Sequence, residues 1–263
     1  DDFHNAIVWT IDKHKIDYLP ASVELGDMDP SAIAAAIAPL GERARLPQNE
    51  LRRTFERYDQ IVRDRLRPDA SWHGYAPYEF RIVEALVHLG ERERANQLMS
   101  FLFEGRRPPA WNAWAEVVHR DARAPYFVGD IPHTWIGSDY LRALRSFLVY
   151  EREDDQALVL FAGLPLAWID TEPGLRATGL PTWHGKLDFH LRGGEAGQLL
   201  VDLSGELSVP PGGIELHPPL PGALRRVTIN GADATPKAGS PVRLRDLPAR
   251  IVFEFEPAQP TQP

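Results

Sequence analysis

A glutamate close to two indoles is the most chemically suggestive feature of this sequence: Trp111-Asn112-Ala113-Trp114-Ala115-Glu116. A carboxyl group partly shielded from water by aromatic bulk can work as a general acid, and one that stays ionised can work as a general base. The competing reading of Glu116 is structural, a carboxylate in the first turn of a helix that meets free N–H groups. Three further stretches mix aromatic and acidic residues without helical periodicity: 18–30, 71–79 and 130–135. They hold Glu24, Asp27, Asp29, Trp72, His73, Tyr75, Tyr78, Glu79, Asp130, His133 and Trp135. Aromatic faces take the C–H-rich side of a sugar ring, while carboxylates, imidazoles and amides take its hydroxyls. The same mixture suits other small-molecule pockets.

Glu116 is therefore the first candidate for catalysis, and Asp27 is freer than Asp29 to act on a ligand, the alternative being that it simply holds its loop. Trp72, His73, Tyr75, Glu79, Trp111, Trp114, Asp130, His133 and Trp135 are candidates for substrate binding. Glycosidic hydrolysis usually needs two carboxyl groups flanking the bond. The sequence supplies several, but spacing alone does not identify a pair. Each candidate also has a structural reading. Glu79 can neutralise the start of a helix over 77–89 or pair with Arg81. Asp29, before Pro30, is a good N-cap. Trp9, Trp168 and Trp183 are expected to be packing residues.

Composition narrows the chemistry. The 263 residues contain no cysteine, so disulfides, thiolate metal sites and cysteine nucleophiles are excluded. A net charge of -8 argues against nonspecific binding to nucleic-acid phosphates. No apolar run is long enough to span a bilayer. Gly-rich phosphate loops, GxSxG elbows, HExxH motifs and EF-hand loops are missing, and the nine histidines are scattered. Neither a metal nor a cofactor is expected.

The elements that must position these residues fall into two regions. A helical region over 1–154 includes a helix opening at Asp29-Pro30 and an amphipathic helix over 49–66, with Leu51, Phe55, Tyr58 and Val62 on one face. Helices over 77–89 and 91–103 form a hairpin across Gly90. A short helix is expected over 111–118 and a last one over 137–150. The apolar run over 6–11 reads as a strand or a helix turn. After the charged junction at 151–155 the pattern changes to short strands, with candidates at 157–161, 184–192, 197–203, 213–217, 225–230 and 250–255. Asn230-Gly231 marks a tight hairpin turn. An antiparallel β-sandwich over 155–257 is expected, followed by a loose tail over 258–263.

The stretches 18–30 (YLPASVELGDMDP), 75–90 (YAPYEFRIVEALVHLG), 109–118 (PAWNAWAEVV) and 126–151 resemble the C-terminal part of bacterial proteins of the six-hairpin glycosidase superfamily, nearest to α-L-rhamnosidase-like members. That resemblance implies an α+β multidomain chain: the last half of a twelve-helix (α/α)6 toroid followed by a β-sandwich. It implies an inverting glycoside hydrolase acting on a carbohydrate, with Glu116 as general base. Trp111, Trp114 and His133 would then line the sugar site. The general acid would come from upstream sequence or from a partner chain completing the barrel, with Asp27 as a substitute. The alternatives are a noncatalytic carbohydrate-binding protein with a degenerate cleft and a structural or assembly module.

Overall fold

Asp29 sits in an extended conformation and its carboxylate accepts hydrogen bonds from the N–H groups of Ser31 (2.9 Å) and Ala32 (3.3 Å), which starts helix α2 (Pro30–Ile37). The fold is that of a computed structural model, which describes residues 2–123, 128–169, 172–195, 197–237 and 240–256. The expected loose tail lies outside the described residues. The chain folds as two units, Asp1–Arg145 and Ser146–Pro263.

The first unit also carries α1 (Asp2–His14), α3 (Gln48–Leu66), α4 (Phe80–His88) and α5 (Arg92–Phe103), and most of α6 (Thr134–Leu148). Two short strands, β1 (Gly74–Tyr75) and β2 (Val118–His119), pair antiparallel within it. In α3, Leu51, Phe55, Tyr58 and Val62 are buried, as the three-and-four spacing requires. Gly90 adopts φ +83 and closes α4. Its N–H donates to the Val87 carbonyl and that of Glu91 to the Leu86 carbonyl, the paired bonds of a Schellman cap. Phe80, at the start of α4, is fully buried against the rings of Trp114 (5.1 Å between centroids) and Tyr140 (5.3 Å).

The second unit holds β3 (Val149–Arg152), β4 (Ala157–Leu160), β5 (Leu175–Thr182), β6 (Gly185–Gly193), β7 (Gln198–Leu207), β8 (Ile214–Leu216), β9 (Leu224–Ile229), β10 (Ala232–Asp233), β11 (Val242–Leu244) and β12 (Ala249–Phe255). Six strands form an antiparallel sheet in the order β10-β9-β12-β7-β6-β5. Its strands alternate, burying Leu187, Phe189 and Leu191 on β6, Leu199, Val201 and Leu203 on β7, and Ala249, Ile251 and Phe253 on β12. Asn230 (φ +50) and Gly231 (φ +84) turn β9 into β10, both in the left-handed region that a tight hairpin demands. The other four strands form a sheet in the order β11-β8-β4-β3, in which β4 and β8 run parallel. All four residues of β4 are buried, as suits a strand paired on both edges and covered on both faces.

Three expectations fail here. The resemblance to the six-hairpin superfamily does not hold. The described residues contain six α-helices and three separate sheets, of two, four and six strands, where that toroid requires twelve helices. The strands β1 and β2 interrupt the run of helices, and α6 leads directly into β3. The descriptions that followed from the toroid (six-hairpin, glycosidase, hydrolase) lapse with it. The C-terminal region is likewise not one closed antiparallel sandwich, because its four-stranded sheet is mixed. Finally, no helix forms over 111–118. Asn112 turns left-handed (φ +49) after a single 3-10 turn at Pro109–Trp111. Ala113 and Trp114 then give their carbonyls to the N–H groups of Arg107 (3.0 Å) and His133 (3.1 Å). Those bonds claim two carbonyls that a helix over 111–118 would direct to the N–H groups four residues on. The run at 6–11 proves to be the middle of α1, a 13-residue helix.

Candidate functional site

The candidate residues divide into three groups. The first is structural. Glu79 accepts hydrogen bonds from the Tyr58 hydroxyl and from Arg65 Nη1 (2.6 Å), and does not pair with Arg81. Burial, then the charge of Glu79, pushes the Tyr58 hydroxyl well above its ordinary pKa, so it acts as a donor. Tyr58→Phe is expected to cost about 1–3 kcal/mol, because it strips a donor from a nearly buried carboxylate. Urea unfolding measures that loss, and an unchanged midpoint would free Glu79 for a role in binding. Asp27 is equally local. The Ser22 hydroxyl donates to it at 2.6 Å and holds its carboxyl below the usual range, within a loop also closed by the Ala21 N–H bond to the Asp27 carbonyl.

The second group surrounds β1. Trp72 donates its indole N–H to the Arg65 carbonyl (3.1 Å) and packs against Tyr75 and Phe101. Tyr75 is buried, and burial followed by the Glu79 charge raises its hydroxyl beyond any role as an acid near neutral pH. His73 meets the His119 ring edge-on at 5.1 Å, beside a recess of about 460 Å³.

The third group converges on Tyr78, in the 3-10 turn (Pro77–Glu79) that precedes α4. Its hydroxyl lies 3.0 Å from His133 Nε2, and its ring makes edge contacts with His133 (5.9 Å) and Trp135 (5.7 Å). The Arg81 guanidinium covers the Tyr78 ring at 4.7 Å and the Trp135 ring at 5.6 Å, held by an ion pair to buried Asp139 (2.8 Å). Desolvation, then Glu116, raises the Tyr78 pKa, with Asp139 and Asp130 acting in the same sense and Arg81 against them. The phenol stays protonated and shares a hydrogen bond with His133 Nε2, and the other ring nitrogen, Nδ1, lies 3.5 Å from Asp130 Oδ2. The same Asp130 oxygen accepts the Glu116 N–H at 3.2 Å. Tyr78, His133, Asp130 and Glu116 thus form one polar array. Trp135 flanks it with an indole that is 61% exposed.

The chain matches no protein-family model and no curated protein. Function must therefore be read from these residues.

Trp114 and Trp111 fall outside the array. Trp114 is 2% exposed and donates its indole N–H to the Leu102 carbonyl (2.8 Å), so it is a core residue, while Trp111 stands exposed on its 3-10 turn. Trp9 and Trp183, expected to pack, are exposed, and Trp168 is half-buried against Phe147. Sequence reading missed Arg81 in its role over the two rings. The signal was present in the three-residue spacing from Tyr78 to Arg81, which puts both on one side of the turn that begins α4. It also missed a cavity of about 680 Å³ lined in part by His133, Tyr140, Arg142 and Arg145. Among the described residues, no cluster of three or more His, Asp or Glu residues could hold a metal ion.

Proposed function

We propose that the helical unit binds carbohydrate, with the sugar ring laid on Trp135 and its hydroxyls directed to Glu116 and to the Tyr78–His133–Asp130 array. The observation that carries this reading is the exposed Trp135 indole beside Tyr78, whose hydroxyl meets the His133 imidazole and lies in the field of Glu116, Asp139 and Asp130. An exposed large aromatic fixed by a cation–π contact is a rigid platform that loses little conformational entropy on binding. Carboxylates accept from sugar hydroxyls, and the Tyr78–His133 bond holds the imidazole in place. The reading is one of binding. Glu116 serves in it as an acceptor of sugar hydroxyls rather than as a general base, and Asp27 is tied into its own loop by Ser22.

The test is calorimetric titration with a panel of neutral mono- and oligosaccharides. At least one sugar is expected to bind. Trp135→Ala and Glu116→Gln are each expected to weaken that sugar at least tenfold, which corresponds to about 1.4 kcal/mol. If no sugar binds, or if both variants bind as the parent does, the assignment is wrong.

A further inference from the structure

The cavity beside His133 has its own chemistry. Its volume of about 680 Å³ lies in the range of small-molecule sites, about 300–1,000 Å³. Trp114, Pro132, Tyr140 and Leu141 supply apolar wall, and Arg142 and Arg145 supply charge. None of the residues described as lining it is acidic, in a chain whose net charge is -8. Tyr140 is fixed by ring contacts with Phe80 (5.3 Å), Trp114 (5.1 Å) and Phe103 (6.0 Å). Arg142 is anchored on buried Glu84 at 2.7 Å through one terminal nitrogen and keeps 36% of its side chain exposed. A guanidinium carries five N–H donors, so this anchoring orients the group without exhausting it.

We propose that this cavity is a binding site for a small aromatic carboxylate, with the ring between Tyr140 and Leu141 and the carboxylate at Arg142 and Arg145. Apolar walls with two cations at one edge select a ligand that is flat and apolar at one end and anionic at the other. Neutral sugars lack that anion, so this site is distinct in ligand from the array at Tyr78, although His133 borders both.

Gly137 gives a clean way to block it. It lines the cavity from within α6, and a Cβ built there meets nothing within 4 Å. Gly137→Leu therefore fills the space without a backbone clash, and Gly137→Ala is a control that should leave binding in place while favouring the helix. The probes are naphthalene-2-carboxylate and its neutral carboxamide, titrated calorimetrically. The carboxylate is expected to bind at least tenfold more tightly than the amide, and Gly137→Leu to abolish binding of both. The double variant Glu84→Gln/Arg142→Gln removes a buried ion pair together, so no lone charge is left behind. It is expected to keep the amide affinity and lose most of the preference for the carboxylate. If that variant fails to fold, Arg145→Gln reads the same preference. Equal affinity for the two probes, no binding of either, or binding that survives Gly137→Leu would overturn the proposal. Saccharide titration of Trp135→Ala reports on the other site and leaves this result untouched.

Discussion

Glu215→Gln is expected to destabilise the β-rich unit by about 3 kcal/mol, the low end of the range for breaking a buried ion pair because its arginine partners keep some contact with water. Glu215 lies on β8 and is 3% exposed. It accepts bonds from Arg152 of β3 at 2.7 and 3.1 Å, from Arg243 of β11 at 2.5 Å, and from His217 at 2.6 Å. Arg243 is its cross-strand partner in the register, whereas Arg152 reaches it from the opposite edge of the sheet. One carboxylate therefore ties both edge strands to the middle of the four-stranded sheet. Burial opposes its ionisation, but bonds from His217, Arg152 and Arg243 outweigh burial and hold the carboxyl well below the usual range. A depressed folded pKa contributes stability above the unfolded value, about 4.3 for glutamate, and that stability is lost as pH falls through the folded value. The stability gap between parent and variant should thus be full at neutral pH and shrink progressively as pH falls below about 4. Denaturant titrations at pH 7, 4 and 2 measure it. A gap that is already small at pH 7 would mean that the cluster is only a solvated surface network.

Phe80→Ala is expected to cost the helical unit about 3–5 kcal/mol, the usual cost of emptying a buried aromatic site. Phe80 is fully buried and touches both Trp114 and Tyr140, two walls of the cavity. Its removal should act twice, through lost apolar burial and through loss of the ring that sets Tyr140. Urea unfolding followed by helical circular dichroism gives the first effect. Titration of naphthalene-2-carboxylate at low temperature, where the variant is still folded, gives the second, expected as at least tenfold weaker binding. A loss below about 1 kcal/mol would show that the neighbouring rings close over the gap.

These residues also show what could be read from the sequence. The helix over Gln48–Leu66, the Asp29 cap, the stop at Gly90 and the hairpin at Asn230-Gly231 all follow from local rules, and the structure contains each of them. The alternation that buries Leu187, Phe189 and Leu191 is local too. What failed depended on distant partners. The stretch at 112–118 has residues compatible with a helix, but its carbonyls are claimed by Arg107 and His133. The parallel pairing of β4 with β8 leaves no trace in either short apolar run. Likewise, Arg152, Glu215 and Arg243 lie on three separate strands and read singly as ordinary surface charges. At the candidate site, the sequence offered His133, Asp130, Glu116 and Trp135 as members of a mixed cluster. It did not offer Tyr78 as their hub, because the 3.0 Å bond to His133 spans 55 residues.

The parallel pairing of β4 and β8 also bears on the order in which the chain can assemble. Leu158 pairs with Ile214, and the whole of β5, β6 and β7 lies between them in sequence. The β3–β4 hairpin can close early, since Val149 and Leu160 are near neighbours in the chain. The free edge of β4 must then wait while three long strands are made and paired elsewhere. Closing such a long loop costs entropy that local hairpins do not incur, so β8 is expected to join β4 only after the β3–β4 hairpin has formed, just as β12 must join β7 across a comparable separation. Until β8 arrives, a fully apolar strand presents unpaired backbone groups, the situation in which nascent chains most readily associate with one another.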